Sequence, residues 1–99
     1  MPVLRIVRFT TEPEQAEAML KCRAALIGAT RERFAGLTET RLARVDERTW
    51  IDHWRWESAE HMQRALDDVA TIPGAGEAFA LIADPQPLVA EIADETTGE

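Results

Sequence analysis

Apolar positions along the chain alternate between a two-residue period and one near 3.6 residues, and the switches predict the elements. Val3 to Thr10 (VLRIVRFT) is apolar on both faces and reads as a central strand. From Glu12 to Ala35, Ala16, Met19, Leu20, Arg23, Leu26, Ile27, Thr30 and Phe34 form one helical stripe, with Arg23 and Thr30 near its middle. Thr11-Glu12-Pro13-Glu14 has the spacing of a capping box, and Gly36 is the expected left-handed stop. Leu37 to Val45 predicts a second strand. Asp46-Glu47-Arg48 is short enough for a hairpin loop before a third strand, Trp50 to Trp56. Ser58 is placed to cap a helix over residues 59–70, whose stripe is Met62, Ala65, Leu66 and Val69. Pro73-Gly74 breaks that helix, and Glu77 to Ala83 adds a short further one. Asp84 to Pro87 reads as a loop, Leu88 to Ala93 as the last strand, and residues 94–99 as a disordered acidic tail.

The order strand, helix, strand, strand, helix, strand predicts a single α+β domain over residues 3–93, the ferredoxin-like βαββαβ arrangement with an antiparallel sheet. Right-handed crossovers put the first and third strands in the middle, with both helices on one face. Assigning Leu4, Ile6, Arg8, Thr38, Thr40, Leu42 and Arg44 to the helix side leaves Val7, Phe9, Val45, Ile51 and Val89 on the bare side. An apolar sheet face of that size predicts a homodimer packed sheet to sheet.

Composition narrows the classes. The chain has 99 residues, 45% hydrophobic and 29% charged, which fits one globular domain with a modest core. A net charge of −7 argues against nucleic acid or an anionic membrane as partner. One cysteine, Cys22, allows neither an internal disulfide nor a multi-cysteine metal site. The absence of a membrane-length apolar run and of a signal-like start makes the cytoplasm the expected compartment.

The candidate chemistry lies in the third strand. All three tryptophans fall in one alternating run, so Trp50, Asp52, Trp54 and Trp56 share a face. Three rings around a carboxylate, with Arg8 or Arg23 nearby, would form an apolar ligand cavity with a few polar groups. The same pattern also serves a plain core with a structural ion pair, and Arg23 could instead carry its head to the helix edge. His53 and His61 lack metal-ligand spacing and companions.

Trp56-Glu57-Ser58, at the step from third strand to second helix, resembles the signature of the antibiotic-biosynthesis-monooxygenase superfamily. Chain length and element order agree over residues 3–93. The resemblance implies a dimeric α/β barrel and cofactor-independent oxidation of aromatic or polyketide-type molecules. Trp56 corresponds to a tryptophan of the polyketide monooxygenases. Asp52 stands where they have asparagine and Met62 where they have tyrosine, so Asp52 and Trp56 are the candidate catalytic residues. Arg8, Arg23, Trp50, Trp54, Thr40 and Met62 are the candidate substrate contacts. In the haem-degrading branch an asparagine, a tryptophan and a histidine occupy positions near Arg8, Ala65 and Ala75 here, so no haem, metal or other cofactor is expected. Asp52 would act as base, and a guanidinium would stabilise the enolate. A polyketide cyclase or isomerase would use the same groups without oxygen. A non-catalytic dimer binding a small ligand or a protein is the alternative.

Overall fold

The computed structural model describes residues 1–96. Its strands are β1 (Val3–Thr10), β2 (Leu37–Arg44), β3 (Thr49–Trp56) and β4 (Ala83–Glu91). Its α-helices are α1 (Ala16–Arg33), α2 (Ala59–Asp67) and α3 (Ala75–Ala80), with single 3₁₀ turns at Pro13–Gln15 and Val69–Thr71. The sheet order is β2-β3-β1-β4, with every pairing antiparallel. This is the ferredoxin-like topology expected from the element order, with β1 and β3 central.

Local chemistry explains the boundaries. Ser58 caps α2: its Oγ accepts from the His61 backbone N–H at 3.2 Å and lies 2.7 Å from the His61 Nδ1. Gly36 turns the chain from α1 into β2 with φ +104°, and the His61 ring lies against it. A Cβ there would come within 2.6 Å of that ring, so glycine is required both by φ and by space. The Asp46 carboxylate accepts from the backbone N–H of Arg48 at 2.9 Å and of Thr49 at 2.8 Å, closing the β2–β3 hairpin. These bonds, the first from Arg48, hold its carboxyl below the usual range.

The expected capping box does not form. The Thr11 hydroxyl donates to the Leu81 carbonyl instead, tying the start of the first crossover to the segment before β4. Asp84 to Pro87 is strand, not loop, so β4 starts five residues early. Of the acidic tail, Glu95 bonds to Arg55; residues 97–99 lie outside the described residues.

The main correction is to the parity of β1 and β4. In β1, Val3, Arg5, Val7 and Phe9 stand opposite Trp56, Trp54, Asp52 and Trp50, so these odd-numbered residues face the helices. Val3 packs with Leu37, Trp56, Met62 and Ala65, and Phe9 packs with Met19 and Trp50. Leu4, Ile6 and Arg8 therefore lie on the open face. In β4, Leu88 and Ala90 pair with Ile6 and Leu4 and join them there, while Pro87 and Val89 turn to the helix side. β2 carries a bulge between Leu37 and Glu39, which sends Leu37 to the helices in place of Thr38. Thr38 bonds to Arg55 on the open side. Among the expected dimer-face residues, Val7, Phe9 and Val89 are thus on the wrong side, and Ile51 is on the open face.

Candidate functional site

The helix-facing side of the sheet is closed at both ends and hollow in its middle. At one end, Trp56 and Met62 are buried with Val3 and Leu37. At the other, Trp50 is buried against Phe9 and Met19, and the Arg44 guanidinium lies 4.8 Å from its ring centroid. Between them is a cavity of about 570 Å³. Ligand sites commonly occupy ~300–1,000 Å³. Arg5, Val7 and Phe9 of β1, Asp52 and Trp54 of β3, and Pro85 and Pro87 of β4 line the sheet side. Met19, Arg23, Leu26 and Thr30 of α1, with Leu66, Val69, Ile72, Ala78, Phe79 and Ile82, line the opposite side.

One ion pair crosses this apolar space. Arg23 Nε donates to Asp52 Oδ2 at 3.0 Å and Arg23 Nη2 to Oδ1 at 2.8 Å, with the two side chains 18% and 15% exposed. Two parallel bonds fix the plane of the carboxylate as well as its place. The position of Arg23 mid-stripe brings it down onto the sheet, where Asp52 meets it. Arg5 stands beside Trp54 and diagonal to Asp52. Burial pushes its guanidinium below the usual range, and attraction to Asp52 opposes that shift. The Thr30 hydroxyl also reaches the lining but donates to the Leu26 carbonyl within its own helix, at 2.7 Å.

Asp52, Arg23 and Trp54 are thus brought together at the cavity. Trp56, Trp50 and Met62 are packed into the two closed ends, although the Trp54 and Trp56 ring centroids are 6.5 Å apart. Thr40 pairs with Trp54 from the outer strand without lining the cavity. Arg8 is exposed on the other face of the sheet, so it cannot be the partner of Asp52. Arg23 alone bonds to Asp52, and the β1 arginine that lines the cavity is Arg5, three residues earlier and of opposite parity. The indole N–H groups of Trp50 and Trp56 are buried without a hydrogen-bond partner among the described residues. No three His, Cys, Asp or Glu side chains cluster as metal ligands among the described residues. No described helix is long and apolar enough to cross a membrane.

The sheet order and the layer of helices over one face define a ferredoxin-like α+β protein, the fold shared by structures named as antibiotic biosynthesis monooxygenases. The chain is similar to SnoaB, a cofactor-independent oxygenase from Streptomyces nogalater, at 21% identity and a TM-score of 0.70, covering 99% of this chain and 98% of that one. HapK from Hahella chejuensis superposes at 13% identity and a TM-score of 0.75 with all of both chains covered. A proposed antibiotic biosynthesis monooxygenase from Nitrosomonas europaea gives 11% identity and a TM-score of 0.75, with 97% and 94% covered. At these identities the likeness is one of fold. No family model matches the chain, and no curated protein sequence does.

Proposed function

We propose that the chain is a cofactor-independent, monooxygenase-like protein that takes an aromatic or polyketide-type molecule into the cavity between sheet and helices. The observation that carries this reading is the cavity itself: about 570 Å³, apolar walls, and Arg5, Arg23 and Asp52 as its charged groups. The similarity in fold to an oxygenase that works without a cofactor supports it. In the proposed chemistry an activated methylene of the substrate loses a proton to Asp52, and the guanidiniums stabilise the enolate. The carbanion then meets dioxygen. One oxygen atom becomes the new carbonyl and the other leaves as water. Trp54 offers a ring face for stacking.

The bidentate Arg23–Asp52 bond favours a second reading, a protein of the same fold that binds the ligand without turning it over. Asp52→Asn separates the two. Under the catalytic reading, oxygen uptake with an anthrone substrate falls below detection while the fold, followed by circular dichroism, is kept. Wild-type protein that consumes no oxygen with such substrates, together with a large drop in melting temperature on Asp52→Asn, would count against the catalytic reading. As its assembly we propose a homodimer through the open face, where Leu4, Ile6, Ile51 and Leu88 lie together. Leu88, 60% exposed, is the most solvent-accessible of them.

A further inference from the structure

The two guanidiniums of the cavity differ in how they are satisfied. Arg23 spends two donors on Asp52. Arg5 has no carboxylate within salt-bridge distance and no side-chain hydrogen bond among the described residues. Its direct neighbours across the sheet are Trp54 on one side and Val89 on the other. With Asp52 counted against both arginines, the lining carries a net charge of +1 in otherwise apolar walls. An unpaired charge is costly in such a setting, and an incoming anion removes that cost. The shift of the Arg5 guanidinium caused by its burial is consistent with a cation lacking a close partner. A guanidinium also presents parallel N–H donors that match a carboxylate or an acidic enolate.

We propose that the cavity selects monoanionic aromatic ligands, with Arg5 receiving the anionic oxygens while Trp54 and Phe79 hold the ring. The inference rests on the reading of this cavity as the ligand site, and it adds the charge of the substrate and the residue that reads it. Arg5 then fixes which end of the ligand lies beside Asp52. Asp52 competes with the ligand for positive charge, so its neutralisation strengthens anion binding.

The test compares two probes of the same shape, 2-naphthoate and 2-naphthamide, by calorimetric titration of the full chain at neutral pH. Wild type binds naphthoate at least about tenfold more tightly than the amide, which corresponds to ~1.4 kcal/mol. Arg5→Met brings the two probes to equal affinity, and Arg5→Lys keeps a reduced preference. Asp52→Asn tightens naphthoate and leaves the amide unchanged. Equal affinity for both probes in wild type overturns the proposal, and so does failure to bind either. A preference that survives Arg5→Met, in a variant with the circular dichroism of wild type, overturns it as well. Should Arg5→Met fail to fold, an undiminished preference in Arg5→Lys has the same force. Naphthoate preference without oxygen uptake would refute the monooxygenase reading alone. Turnover of a neutral anthrone without anion preference would refute the anion selectivity alone.

Discussion

β3 supplies a charged residue to each of two arginine–carboxylate pairs, one on either face of the sheet. Asp52 meets Arg23 inside the apolar cavity, and Arg55 meets Glu95 on the open face. The geometries are alike, each with two hydrogen bonds. The settings are not. Glu95 keeps 43% of its side-chain surface in water, against 15% for Asp52. Water and salt screen the outer pair, whereas the inner pair is held by partners that nothing else can replace. Two pairs of the same geometry therefore differ in weight: the inner one bears on stability, and the outer one is nearly neutral.

The comparison breaks most visibly when one inner partner is removed. Arg23→Met is expected to cost about 2–3 kcal/mol in denaturant unfolding, below the ~3–5 range of a fully buried pair because both side chains retain some water contact. Adding Asp52→Leu should recover part of that loss, because the stranded carboxylate goes with its partner. Strictly additive losses would show that the two groups do not depend on each other.

Leu88→Glu tests the open face as an assembly surface. Sedimentation or light scattering should give a dimer mass for wild type and a monomer mass for the variant, with the single-chain fold intact. A wild-type monomer at micromolar concentration would end the dimer proposal.

The smallest effect is expected at the outer pair. The hydrogen bonds from Arg55 hold the Glu95 carboxyl below its ordinary value of 4.5. A carboxyl lowered in the folded state contributes stability above its unfolded value and loses it as pH falls through the folded one. The Glu95 midpoint followed by NMR should therefore lie below 4.5 and return toward it in Arg55→Met or in high salt. An unchanged midpoint in Arg55→Met would assign the shift to another cause.

The topology was legible because the periods, the Ser58 cap, Gly36 and the short hairpin all point the same way. The pairing of Asp52 with a guanidinium was half legible. Arg23, in the middle of an apolar stripe, announced a buried partner. Arg5 was not legible as a cavity residue, because VLRIVRFT carries apolar residues and one arginine on each parity. A one-residue change of parity exchanges both sets of side chains, and only tertiary packing decides between them. The heavier set, Val3, Val7 and Phe9, was the available signal. β4 stayed hidden for another reason: two prolines, which suggest a loop, are compatible with a strand that has only one neighbour.

Those prolines also bear on how the molecule avoids its own kind. β4 is at the edge of the sheet, with β1 as its sole neighbour. An unprotected edge is a template on which another chain can add a strand and begin a fibril. Pro85 and Pro87 have no amide hydrogen to offer such an intruder, and Asp84, at φ +51°, bends the strand at its start. The rings that wall one side of the cavity thus also deny amyloid-like growth a ladder along that edge.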